Sequence, residues 1–70
     1  MSWSRSVSSQ MVAEIGYDEE TQEMSVTWAK GGQGSYLGVP EDVADSCSRA
    51  PSVGQYIITE IKPFYQYRRG

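Results

Sequence analysis

Lys62, Tyr65, Tyr67, Arg68 and Arg69 crowd into the stretch IKPFYQYRRG, at one end of a chain in which nine acids outnumber six basic residues. Rings interleaved with cations suit one chemistry above others: the rings offer faces to unpaired bases while the cations meet phosphates, and each stack is worth about 1–3 kcal/mol. In an extended segment Tyr65, Tyr67 and Arg69 project to one side, and Phe64, Gln66 and Arg68 to the other. Tyr36, on a short segment just before Pro40, is a further candidate platform, because free amides at a following helix start attract anions. The competing reading has Phe64 and Tyr65 closing a core, the arginines solvating a terminus, and Tyr36 packed against a cross-strand neighbour.

A second cluster is acidic. Glu14, Asp18, Glu19, Glu20 and Glu23 gather around the turn sequence DEETQ. Such a run is either a solvated surface, a docking face for a basic partner protein, or a guard against edge-to-edge association of strands. It offers no convincing acid–base pair, because turn carboxylates do not converge on a cleft. The chain contains no histidine and a single cysteine, Cys47. That removes the commonest general base and any Cys/His zinc site, and no phosphate-cradling glycine motif appears. No catalytic residue, metal or cofactor is expected. The net charge of −3 speaks against a surface wholly devoted to nucleic acid. A local basic patch remains compatible with it, since salt confines exposed charges to a reach of about 8 Å.

The elements that must position these residues follow from periodicity. At 70 residues the chain makes one domain with a thin core. Residues 1–9 read as a loose serine-rich arm, leaving 10–70 as the domain. QMVAEIGYD alternates, with Met11, Ala13, Ile15 and Tyr17 on one side and Val12 and Glu14 on the other, and EMSVTWA alternates with Met24, Val26 and Trp28 inward. Joined by DEETQ they predict an antiparallel hairpin. KGGQG predicts a second turn and SYLGV a short third strand, which Pro40 stops. PEDVADSCSRA predicts a helix, with acids at its start, an arginine at its end, and Val43, Cys47 and Ala50 on one face. Cys47 is thereby expected to be a small core residue rather than a nucleophile. Ser52 and Gln55 fit a capping box, Val53, Ile57 and Ile61 form a stripe, and Pro63 ends the second helix. The expected fold is α+β: a three-stranded antiparallel meander, two short helices on one sheet face, and an extended C-terminal tail.

The order Tyr36-x-x-Val39-Pro40, followed by Gly54-x-Tyr56-x-x-x-x-Ile61-Lys62-x-x-Tyr65, resembles the KTSC domain. That module is named for its place at the C-terminus of some lysyl-tRNA synthetases and also occurs alone in bacterial and phage proteins. The resemblance spans roughly residues 8–68, and IGYDEETQEMSVTW is similar to the family's opening hairpin. The family's central Tyr-x-Tyr reads Tyr36-Leu37-Gly38 here, so a second ring is missing from that strand. The resemblance implies a non-enzymatic accessory module for which RNA binding has been suggested. Two functions are therefore expected: binding of RNA or single strands through Tyr36, Lys62, Tyr65, Tyr67, Arg68 and Arg69, or docking on a host or phage protein through the acidic hairpin or a sheet edge. A lone thiol, no signal-peptide-like run in MSWSRSVSSQ, and no stretch of about 18 apolar residues predict a cytoplasmic protein without a membrane span.

Overall fold

The computed structural model describes residues 2–69. Along the chain come β1 (Ser2–Ser6), β2 (Val12–Asp18), β3 (Glu23–Trp28) and β4 (Gln33–Leu37), then α1 (Glu41–Arg49), α2 (Val53–Tyr56), a π-helical turn (Ile57–Ile61) and β5 (Gln66–Arg69). The strands form one antiparallel sheet in the order β1-β2-β3-β4-β5, so both helices are an insertion between the last two neighbours. The α+β class and the meander stand as expected, but three strands is an undercount. Both edges lack apolar alternation strong enough to announce a strand. Backbone hydrogen bonds to β2 and β4 order them instead.

Within the described residues the N-terminal stretch is no loose arm: Ser2–Ser6 pairs with β2 from Asp18 back to Glu14. Its alternation is amphipathic in an unusual way, with Trp3 and Arg5 facing α1. The Trp3 ring lies 5.8 Å from Tyr17, and its indole N–H donates to Glu41 Oε2 at 3.3 Å. The Arg5 guanidinium sits 4.1 Å over that indole and donates to Asp45 and to Ser48 Oγ. The Arg5 hydrogen bond, reinforced by the charge of Arg49, holds the Asp45 carboxyl below the usual carboxylate range. This polar clasp fastens an edge strand with little apolar surface to a helix.

Along β2 the simple alternation fails at one point. The register moves from Val12↔Trp28 to Glu14↔Thr27, leaving Ala13 as the extra residue of a bulge. An inserted residue reverses strand parity. Val12 and Ile15 therefore both point inward and are fully buried, while Met11 and Ala13 are exposed, opposite to the expected sides. Beyond the bulge Ile15, Tyr17, Met24 and Val26 are buried as the pattern requires.

The turns and helices obey local rules. Asp18 Oδ1 accepts the Glu20 amide at 3.0 Å in the first hairpin turn, and Gly31 and Gly32 take positive φ in the second. Pro40 is the N-cap of α1, whose first turn carries Glu41 and Asp42 and whose last carries Arg49, matching the helix dipole. Ala44 and Cys47 are its buried residues, with Val43 only partly covered. Burial pushes the Cys47 thiol up to about 11, which suits a small core residue. Ser52 Oγ accepts the Gln55 amide at 3.4 Å, opening α2 as expected. The helix then widens: the Lys62 amide donates to Ile57 O at 2.7 Å, five residues back, and Pro63 has no amide to continue the ladder. Residues four apart overshoot a turn of about 3.6 residues. The wider turn corrects this and keeps Val53, Ile57 and Ile61 all facing the sheet, at no more than 3% exposure.

Two stability experiments follow. Ile61→Ala removes a fully buried side chain from the wide turn and should lower unfolding free energy by about 2–5 kcal/mol, read as a lower urea midpoint at unchanged slope. Burial, then the nearby charges of Glu41, Asp42 and Asp18, raises the Tyr17 pKa above its ordinary value. The folded state thus keeps a proton that the unfolded chain gives up. The resulting stabilisation is complete below the unfolded tyrosine pKa of about 10 and is lost as pH climbs through the folded value. Denaturant midpoints measured across that alkaline range should fall, and Tyr17→Phe should flatten the decline.

Candidate functional site

Cross-strand register sets which side chains share the inner face. One row runs Trp3, Tyr17, Met24, Tyr36, Tyr67 across all five strands, and the next runs Arg5, Ile15, Val26, Gly34, Arg69. At the β5 end the helical layer thins out, and a groove of about 570 Å³ opens between sheet and helix. Trp28 and Tyr67 form its strand wall and Tyr36 its floor; Ile57, Ile58 and Lys62 come from the π-helical turn and its end. Such wide turns recur at functional sites. Met11 and Ile58, both near half exposed, leave the groove's apolar lining open to solvent.

Tyr67 is placed by three neighbours. Its ring packs on Tyr36 at 4.9 Å between centroids and 54° between planes. The Trp28 indole N–H donates to its hydroxyl at 3.2 Å, leaving the phenol's own hydrogen to donate elsewhere. The hydroxyl end of the ring occupies the space where any Cβ at residue 34 would stand, so only glycine admits it. Gly34 therefore matters for the site rather than for turn geometry. With 40% of its surface exposed, Tyr67 presents a ring to solvent.

The other expected site residues scatter. Tyr36 is 4% exposed and covered by Tyr67, so it has no face to give a base and forms the groove's floor. Burial first, then the neighbouring Tyr67 and Cys47, raises its pKa. The start of α1 lies instead beside Trp3 and Tyr17, and it carries Glu41 and Asp42, which repel a phosphate. Tyr65 is half-buried against the core and lines the groove, whereas Phe64 is 70% exposed and closes nothing. Arg68 points to the opposite sheet face, beside Ser35, and donates to Glu23 Oε2 at 2.7 Å. The basic tail and the acidic hairpin, two separate surfaces in the sequence, thus neutralise each other there.

Of the remaining acids, Glu14 is half-buried across from Thr27, Asp18 is engaged in its turn, and Glu19 and Glu20 are exposed at the hairpin tip. Cations divide more sharply. Arg5 and Arg49 pair with Asp45, and Arg68 with Glu23. Among the described residues Lys30, Lys62 and Arg69 make no ion pair, and all three border the Trp28–Tyr67 wall. Lys62 lines the groove itself, Lys30 a recess beside Met11 and Trp28, and Arg69 one beside Trp28 and Tyr67. Trp28, Ile58, Met11 and Lys30 escaped the sequence reading. Ile58 had a signal, as an apolar residue just off the buried stripe. The others carried none, because their neighbours come from distant segments.

A five-stranded antiparallel meander with helices inserted before its last strand defines a small α+β domain, with a ring-lined groove bordered by cations at one edge. Residues 8–67 match the family model of the KTSC domain, and the chain belongs to that family. Its structure is similar to the crystal structure of a KTSC domain protein from Yersinia pestis, with a TM-score of 0.90 and 28% sequence identity over 100% of this chain and 99% of that one. No curated protein matches the chain in sequence. Among the described residues no helix is long and apolar enough to cross a membrane.

Gly34 supplies the site's most specific test. Gly34→Ala puts a methyl group where the Tyr67 ring lies, so the ring must leave Tyr36. The variant should lose the Trp28–Tyr67 hydrogen bond and bind ANS more strongly, with Trp28 emission, read in a Trp3→Phe background, shifted to the red. Gly32→Ala, with open space around the new methyl group, should disturb its turn without those spectral changes.

Proposed function

We propose that the groove and its three unpaired cations bind single-stranded nucleic acid, RNA foremost, with no chemistry performed on it. The observation that carries this reading is the division of the cations. Those with carboxylate partners lie away from the groove, and the three without lie around it. Strands with exposed bases and a phosphate backbone match rings bordered by positive charge. The net charge of −3 stays compatible, because the acids of the hairpin tip and of the α1 start do not line the groove. An intracellular, reducing setting fits the single buried thiol.

Docking on a basic partner protein is the second reading. It rests on the solvent exposure of Glu19 and Glu20 at the hairpin tip and is weakened by the internal hydrogen bonds and ion pairs that the hairpin's acids make. Reversing the charge of Glu19 and Glu20 should abolish any partner captured through that tip while leaving oligonucleotide binding intact or stronger.

Fluorescence anisotropy with a labelled oligoribonucleotide at several salt concentrations tests the first reading. Three phosphate contacts to a single strand should give a log–log salt slope of about −2. Lys62→Glu or Arg69→Glu should weaken binding and flatten that slope by about 0.7 each. Arg68→Glu, on the far face, should change it less. A response independent of salt rejects the reading.

A further inference from the structure

We infer that the groove takes one unpaired base at a time, stacked against the open side of Tyr67, with the flanking phosphates on Lys62 at one end and on Arg69 and Lys30 at the other; this rests on the nucleic-acid reading above. The number of platforms decides the stoichiometry. Tyr36 is sealed beneath Tyr67, and Tyr65 is half-buried in the groove lining. Of the rings that line the groove, Tyr67, propped by Gly34 and by the Trp28 indole, is the most exposed, and Trp28 beside it is half-buried. A succession of stacked bases along an open sheet would need rings on several strands of an exposed face. Here the ring row faces the helices, and the row opposite it reads Ser4, Gly16, Ser25, Ser35, Arg68.

Shape and polarity agree. The volume of about 570 Å³ falls in the range of roughly 300–1,000 Å³ typical of small-ligand sites. Ile57 and Ile58 line the groove together with the aromatic wall, so its lining suits a flat apolar-faced group. A base inside a duplex keeps its faces covered by its neighbours, so an unpaired or extruded base is the form that enters. The cations stand on different elements around this wall: Lys62 after the π-helical turn, Arg69 on β5, and Lys30 in the β3–β4 turn. They are therefore arranged to meet a backbone passing across the groove.

The discriminating experiment compares three probes at low salt by anisotropy and, in a Trp3→Phe background, by Trp28 emission. These are a short oligouridylate, an abasic strand of equal length and charge, and the same length of duplex RNA. One stacked base worth about 1–3 kcal/mol corresponds to oligouridylate binding roughly 5- to 150-fold tighter than the abasic strand. The duplex should bind no better than the abasic strand, and uridylate alone should perturb Trp28 emission. Ile58→Gln, a neutral change at a position already 44% exposed and thus compatible with folding, should erase the advantage of uridylate while leaving abasic binding in place. Tyr67→Leu should do the same, with its circular dichroism compared to that of the parent. Equal affinity for uridylate and abasic strands overturns base insertion but leaves a phosphate-binding surface standing. Failure of all three probes to bind removes the nucleic-acid reading itself, and base insertion with it.

Discussion

The contact on which the rest depends is the meeting of Tyr67 and Tyr36 over Gly34. It docks the last strand against the sheet, sets the aromatic wall of the groove, and covers the one core ring that would otherwise stand open on β4. Every other feature of the β5 edge follows from it. Arg69 falls on the groove side and Arg68 on the far side because Tyr67 fixes the strand's parity. The far side then offers Arg68 the carboxylate of Glu23. A partly exposed ion pair of that kind contributes at most about 1 kcal/mol. Its larger consequence is electrostatic, because it withdraws one cation from the tail and leaves Lys30, Lys62 and Arg69 around the groove.

The two edges of the sheet are stabilised by different means. β5 is held by rings, and β1 by the clasp of Trp3 and Arg5 on Glu41, Asp45 and Ser48. In so short a chain neither edge buries much apolar area. Specific partners, rather than bulk hydrophobic burial, therefore keep the two outer pairings, β1 with β2 and β4 with β5, in register. Between them the core runs continuously from Val12 through Met24 and Val39 to Ile61, with no buried polar side chain left unsatisfied among the described residues. The wide turn at Ile57–Ile61 serves both ends of this arrangement, seating two isoleucines in the core while turning Ile58 and Lys62 toward the groove.

Local chemistry was legible in the residues themselves. The central hairpin, the glycine turn, the start of α1, the Ser52 cap, the stripe of Val53, Ile57 and Ile61 and the place of Cys47 on the inner face of α1 all depend on neighbours a few positions away. Sequence alone determines such features. It also carried the family, through the spacing from Tyr36 to Tyr65. Tertiary structure decided the rest, for physical reasons that leave no local trace. A bulge at Ala13 inverts parity without any glycine or proline to mark it. Edge strands form because a neighbour's amides and carbonyls are free, whatever the side chains. Whether a ring is a platform or a floor depends on what lies over it, as it does for Tyr67 above and Tyr36 below. The availability of a cation likewise depends on which carboxylate the fold brings near, and Glu23 lies 45 residues from Arg68 along the chain.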